Sequence, residues 1–482
     1  MLPLQVASLF TVWAISSGGE MLRSWMLAAL LWVMTMPLLV GLEGTLMAML
    51  LFEPFRGFLR RAQYLLVSYS AQDPIHILTP VVTLIALTML LRKQRLQMFW
   101  ATPIAASVSL LGLIFFLEIF NPLQGGLFIG LTGALFILVP LVWFYFGQAV
   151  NEKFMRTMFH LVVFVGILGS LYGVYQLLFG YPAFEQYWID NTDLYTSIAV
   201  GHSQRALATF SSAEEWGRYT QVGAVIALGL AVGARNIMRR VGWYAAAGAL
   251  TVAILLSGQR TAVFGLFLGA LTLLLLGARN LQGAVLRLGL LLLPIVLIFV
   301  FVTPPSEGEE FSKADNERVS ALLTHTQRGT LKPAEEESLQ VRFENWSFLV
   351  TTLIPYRPLG AGIGAGSLSD YRSNHDSDLP PIDNFILVLA ISCGIPGALI
   401  FVWILTRSTW LSMRLARSSS ASDESNTNRI VAALMPPLIL NSVFGLTFSI
   451  YSVAPIAWLL IGWISAETLR ARQKQDREIL VI

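Results

Sequence analysis

Apolar runs of about 17 to 25 residues recur along almost the whole of this 482-residue chain, and they limit its possible folds more than any other feature. Each is long enough to cross a hydrocarbon layer as a helix, and a soluble core could not hide so many of them. With 55% hydrophobic and 13% charged residues, the expected fold class is an all-α polytopic membrane protein. The runs fall near 24–52, 75–91, 103–120, 126–146, 157–179, 218–236, 241–257, 261–277, 284–302, 384–406, 430–449 and 452–468, which predicts about 12 transmembrane helices. The opening MLPLQVASLFTVWAISSGG has no basic stretch ahead of its apolar residues and is expected to be a weak anchor or interfacial helix that is not cleaved.

One stretch departs from this pattern. Residues 303–383 hold 13 acidic and 7 basic side chains, a balance of −6 that leaves +9 for the rest of a chain whose net charge is +3. Such a segment cannot lie in hydrocarbon with its polar groups unsatisfied, so it is expected to face water or line a wet cavity. It divides the chain into helices over 1–302, a large loop carrying short helices over 303–383, and helices with a tail over 384–482.

Loop charges orient the helices, because lysine and arginine accumulate on the cytoplasmic side. RKQR (92–95), NEKFMR (151–156), ARNIMRR (234–240), GARNLQGAVLR (277–287), the 407–429 connection and RARQKQDRE (470–478) fall on alternate sides of successive runs, so all six can be cytoplasmic. The opposite face then receives the NPLQGG turn (121–126), a loop over 180–217, the SGQR turn (257–260) and the large excursion. FEPFRGFLRR (52–61) is the misfit, with Arg56, Arg60 and Arg61 where the alternation predicts the outer face. It is expected to be an amphipathic interfacial helix whose arginines reach headgroups.

Several chemistries are excluded. A single cysteine, Cys393, gives no internal disulfide and is expected to be a small apolar helix residue. None of the five histidines has metal-ligand spacing, and HExxH, Walker-type and GxSxG patterns are missing. GAGIGAG (360–366) follows no strand, so its glycines point to a tight turn against a ligand or another helix instead of a dinucleotide site. No repeat of transporter type is visible, and ARSSSASDESNTN (416–428) is expected to be a flexible linker.

The residues suited to chemistry lie on the outer side. Arg260 opens a span in SGQRTAVFGLFLGAL, where its planar fork and the helix N-terminus both suit a phosphate; a snorkelling headgroup anchor is the plainer alternative. HSQRALATFSSAEEWGRYT (202–220) supplies Arg205 and Arg218, either a second anion clamp or an ordinary solvated rim. Arg342 introduces FENWSFLVTTLIP (343–355), a helix with an apolar face closed by Pro355 and Pro358. In SDYRSNHDSDLPPIDNF (369–385), His375 and Asp383 could each act as a general base or remain solvated loop residues.

Four pieces in order, RALATF, SGQRTA, RFENWSFLVTTLIPYRPLGAGIGAG and DNFILVLAISCGIPGALIF, resemble the O-antigen ligase and Wzy-type polysaccharide polymerase family of bacterial inner-membrane glycosyltransferases. The resemblance covers about 201–401 in motif and the whole chain in topology. It implies a large periplasmic loop, a polyprenyl-pyrophosphate-linked oligosaccharide as donor, and a glycan acceptor on a second lipid-linked repeat or on the lipid A core. It also implies membrane lipids as surroundings, a possible chain-length regulator as partner, and no nucleic acid. The family's arginines match Arg205, Arg260 and Arg342, with Arg218 beside them. Many ligases place a His-Asn pair before the helix that follows the loop, whereas this chain has Asp383-Asn384, which makes Asp383 or His375 the substitute. FEPFRGFLRR and NPLQGGLFIGLTGALF resemble exopolysaccharide polymerases more than ligases.

The chemistry agrees. Cleaving a sugar from pyrophosphate gathers charge on a leaving group that scarcely needs protonation, so placed arginines can stabilise it without cofactor, metal or nucleotide. The acceptor hydroxyl is left to His375, Asp383 or a glutamate such as Glu215. Polymerisation of O-antigen or exopolysaccharide repeats is the expected activity. Ligation to the lipid A core is the alternative within the same chemistry, a lipid-linked sugar flippase that of another class, and a secretion scaffold the weakest.

Overall fold

The computed structural model describes residues 41–63, 73–93, 101–191, 199–200, 203–277, 337–365, 380, 382–418 and 423–480. The expected run 284–302, much of the large loop and His375 lie outside them. The described chain is helical apart from one antiparallel pairing of two-residue strands, β1 (Ala199–Val200) and β2 (Ser203–Gln204). In order the helices are α1 (Leu42–Ala62), α2 (Leu78–Lys93), α3 (Ala105–Glu118), α4 (Leu127–Leu141), α5 (Trp143–Ala149), α6 (Glu152–Phe179) and α7 (Ala183–Asp190). After the strands come α8 (Ala213–Gly233), α9 (Ile237–Leu256), α10 (Arg260–Gly277), α11 (Glu337–Phe348), α12 (Phe385–Ser418), α13 (Asp423–Val443) and α14 (Ala454–Leu480).

Five stretches of helix are long and apolar enough to cross a membrane: Ile75–Arg92, Leu127–Ala149, Glu152–Phe179, Arg260–Gly277 and Phe385–Ser418, with Ala105–Glu118 a shorter apolar helix. Their outward faces carry Leu117, Phe128, Leu171, Phe179 and Leu399 exposed, a surface suited to hydrocarbon and not to water. The protein is therefore a membrane protein whose described residues are almost all helical. Where helices meet, glycine admits backbone: a Cβ on Gly147 would lie 2.1 Å from Leu459 O, and one on Gly462 would lie 1.9 Å from Phe144 O. Small residues at helix contacts are the usual device for close packing in lipid.

The two ends of the bundle differ. At one end Asn151 Nδ2 donates to Glu43 Oε1 over 2.9 Å, Gln148 Nε2 to Thr102 Oγ1 over 3.0 Å, and Ile104 N–H to Ser465 Oγ over 3.2 Å. Basic connections gather there: the end of α2, the start of α6, the segment before α9 with Arg235 exposed, and the first turn of α9 with Arg239 and Arg240 exposed. The linker between α12 and α13 belongs to this end and is shorter than expected, because helix continues to Ser418 and resumes at Asp423. The other end collects the 121–126 turn, the 205–212 turn, the 257–260 turn, α11 and the start of α12.

Helix α1 corrects the sequence reading. Instead of a run ending near residue 52 and an interfacial helix after it, one 21-residue helix, about 31 Å long at 1.5 Å per residue, leads from the Asn151 end to the 205–212 turn. Arg56 and Arg61 are 6% and 1% exposed, so they do not reach headgroups. Burial is tolerated because each charge is paired inside the protein: Arg56 Nε stands 3.0 Å from Glu53 Oε2, and Arg61 Nε stands 2.7 Å from Glu185 Oε1.

The glycine run also resolves. Gly360 and Gly362 have φ of +103° and +107°, a backbone region open to glycine. The run lies against helices: a Cβ on Gly362 would meet the Gln124 side chain at 2.5 Å, and one on Gly364 would meet Ile129 O at 2.5 Å. Helix α12 breaks at Gly394, with φ +73°. The segment before α12 takes up the opened backbone groups, Ala361 N–H donating to Ile391 O over 2.8 Å, Gly362 N–H to Ser392 O over 3.1 Å, and Ile395 N–H to Pro358 O over 2.9 Å. The run is thus a joint between the large loop, the α3–α4 turn and the break in α12.

Candidate functional site

Helix α8 starts in a capping arrangement. Ser212 Oγ accepts from Glu215 N–H over 3.1 Å, which satisfies a donor that the first turn leaves open, while Glu215 Oε2 reaches back to accept from Ser211 N–H, just before the cap, over 2.9 Å. One turn on, Arg218 is buried and joined to Glu214 over 2.7 Å. Its fork donates to Asn441 O over 3.1 Å, to Phe444 O over 3.0 Å and to Thr447 Oγ1. Arginine at these carbonyls closes the C-terminus of α13. Arg218, expected to bind pyrophosphate, is spent on the wall, and Gly445 is needed beside it, since a Cβ there would fall 1.5 Å from its Nη2.

Around that wall the other candidates are arranged. Arg342 on α11 stands 2.8 Å from Asp383 Oδ2, with the two side chains 36% and 42% exposed. Arg218 donates to Phe444 O, and Phe385, two residues after Asp383, donates to Gly445 O, which puts Arg218, Arg342 and Asp383 in one neighbourhood. Trp346, a turn after Arg342, lies 5.6 Å from the Phe444 ring. Asp383 precedes Asn384, whose Oδ1 accepts from Leu387 N–H over 3.1 Å and caps α12. Phe385 N–H donates to Gly445 O over 3.1 Å, and Phe385 stacks on Phe448 at 5.8 Å, so the start of α12 is fixed to the same loop that Arg218 holds.

Arg260 is the first residue of α10 and part-exposed. The preceding turn uses Gly258 at φ +66° and seats on α8, where a Cβ on Gly217 would meet both Gln259 Cβ and Ser257 Oγ at 2.8 Å. Arg205 is part-exposed at the head of the 205–212 turn, and its carbonyl accepts from Tyr181 Oη. The turn leads directly into the cap of α8, and Phe210 packs on Tyr219 at 5.2 Å.

A second group of charges stands behind the 205–212 turn, and the sequence reading did not find it. Arg61, Glu185 and Gln176 are buried together beneath the turn. Arg56 joins Glu53 and stands 2.9 Å from His76 Nδ1, with the Tyr451 ring 5.8 Å away. Burial, with the Glu53 charge adding, keeps the Tyr451 phenol protonated well above its usual range. Arg60 lies 4.0 Å from Asp73 and 5.7 Å from the Trp188 ring. The one sequence signal for this group was the three arginines of FEPFRGFLRR on the outer side of the alternation.

The model of a family described as O-Antigen ligase matches residues 244–402. The matched stretch takes in Arg260, Arg342 and Asp383 and leaves Arg205 and Arg218 outside. No curated protein matches the chain.

Proposed function

We propose, from an O-antigen ligase family domain at residues 244–402, that this membrane protein transfers a glycan from a polyprenyl-pyrophosphate donor to a sugar hydroxyl, polymerising lipid-linked repeat units. In the reaction the bond from the anomeric carbon to pyrophosphate breaks, a bond to the acceptor oxygen forms, and the acceptor proton departs. Arg260, at a helix N-terminus, and Arg205 supply positive charge and N–H donors for the leaving pyrophosphate. Arg342 joins them from α11. Asp383, bonded to Arg342 through Oδ2, offers its other oxygen to orient the acceptor hydroxyl and take its proton, with His375 as the second candidate. Arg218 acts through the wall it holds.

The observation that supports this reading most is the Arg342–Asp383 pair, part-exposed and next to the loop that the buried Arg218 holds, at the end of the bundle where α8 and α10 begin. The transfer is proposed at the periplasmic face of a bacterial inner membrane, opposite the basic connections. Arg260→Ala and Arg205→Ala should each abolish polymer in cells while protein level holds; unchanged polymer length and yield would sink the site.

Ligation to the lipid A core is the second reading, favoured by the description of the matching family. Asp383-Asn384 in place of His-Asn favours polymerisation. Purified protein given a lipid-linked repeat alone should build a ladder if it polymerises, and should yield product only with added core acceptor if it ligates.

A further inference from the structure

The turn after Arg205 is held from behind more tightly than a surface loop requires. Arg61 Nη1 donates to Phe210 O over 2.6 Å and Nη2 to Ala208 O. Gln176 Oε1 accepts from Leu207 N–H over 3.1 Å and from Ala208 N–H over 2.7 Å. Phe58 N–H, from α1, donates to Thr209 O over 2.8 Å. Five backbone groups within four residues are thereby bound from outside the turn, and Ala208 is kept at φ +53°, a conformation that non-glycine residues seldom adopt.

Glu185 governs both side chains of this arrangement. Its Oε1 receives Arg61 Nε over 2.7 Å, and its Oε2 receives Gln176 Nε2 over 2.8 Å. A carboxylate only accepts, so the Gln176 amide must present its NH₂ to Glu185 and its oxygen to the turn. Tyr172 stands against the same carboxylate. Arg61, Gln176 and Glu185 are 1%, 2% and 0% exposed, so none of them meets substrate directly. They come from three elements, α1, α6 and α7.

We propose that Glu185, Arg61 and Gln176 are positioning residues, a buried clamp that fixes the 205–210 turn and through it aims Arg205 at the donor's pyrophosphate. The proposal rests on the donor contact assigned to Arg205. It locates a determinant of donor binding outside the matched family stretch, on α1, α6 and α7.

The test uses the full chain in detergent with polyprenyl pyrophosphate as the probe, its affinity read from the concentration dependence of thermal stabilisation. Glu185→Gln should weaken binding about 10- to 100-fold, the loss expected when a contact group shifts by about 1 Å. The exchange of Gln176→Glu with Glu185→Gln reverses the bond between the two side chains and leaves Arg61 and the turn N–H groups each an oxygen to donate to. It gives up only the 3.4 Å contact from Gln176 Nε2 to Ala208 O, so it should return the affinity to near the parent's. In an Arg205→Lys background Glu185→Gln should add little. If Glu185→Gln fails to accumulate, Arg61→Lys takes its place, since it keeps the charge against Glu185 but cannot reach both carbonyls. Arg205→Lys that binds as the parent does would overturn the donor contact. Arg205→Lys that binds weakly while the clamp variants bind normally, or clamp losses that add in full to it, would overturn the clamp and leave the contact standing.

Discussion

Two sets of arginines stand at the same end of this bundle and are used in opposite ways. Arg56 and Arg61 of α1, with Arg218 of α8, are buried, and each is matched by a carboxylate. Arg205, Arg260 and Arg342 remain part-exposed, and Arg342 meets its carboxylate where solvent reaches both. Residue type and end of the bundle are alike in the two sets; what separates them is burial. A guanidinium has five N–H groups, and where backbone carbonyls and a carboxylate take up the fork it is structural. The comparison predicts that the first set governs stability and the second governs turnover.

Arg61→Ala should have the largest effect. It strands Glu185 with no cation in a fully buried place, a loss of about 3–5 kcal/mol. Protein level and melting temperature should fall steeply, and a variant that melts with the parent would remove the distinction at its strongest point.

Arg260→Lys is the counterpart from the other set. Charge is kept but bidentate geometry is lost, so transfer should fall about 100-fold while the melting temperature stays within that of the parent. Equal losses of stability and turnover would place Arg260 with Arg61.

How far the sequence reaches follows from what each feature depends on. The spans at 75–92, 127–149, 152–179, 260–277 and 385–418 were legible because an apolar run long enough to cross hydrocarbon has few alternatives. The extent of α1 was not, since Glu53, Arg56, Arg60 and Arg61 read as a water-facing end until their partners, distant in sequence, are known. Glu185 lies 124 residues from Arg61, and no local pattern announces such a pair. For the candidate site, RALATF, SGQRTA and DNF, far apart in sequence, fall at one end of the bundle. Their order could not show that Arg218 is taken up by the carbonyls of Asn441 and Phe444, because a buried arginine and a part-exposed one have the same letter. GAGIGAG was legible as a tight turn; that its neighbours are Gln124, Ile129 and the α12 break was a property of the packing.

Gly57→Ala sharpens the comparison without touching any charge. The added Cβ would lie 2.2 Å from Phe210 C and 2.4 Å from Phe210 O, both backbone atoms that cannot rotate aside. Forcing α1 and the turn apart should cost about 1–3 kcal/mol, visible as a lowered melting temperature. Because the displaced residue is the far end of the Arg205 turn, donor affinity should fall as well. Lost stability with donor affinity intact would show that the turn moves independently of Arg205.

Asn384→Ala carries the smallest expected effect and tests the boundary between the two sets. Asn384 is buried, and its Oδ1 accepts from Leu387 N–H, so its role is that of a helix cap worth about 1 kcal/mol. Removing it should lower the melting temperature slightly, and transfer should change less than about tenfold, the factor that 1.4 kcal/mol commands. Asp383, one residue earlier, is part-exposed and paired with Arg342; an exposed ion pair of this kind contributes under about 1 kcal/mol to folding, so Asp383→Asn should leave melting unchanged while transfer falls. If Asn384→Ala instead lost transfer as Asp383→Asn does, with melting intact, Asn384 would belong with the residues that meet substrate. Both residues of the segment before α12 would then meet substrate, and the polymerase reading would lose the departure on which it rests.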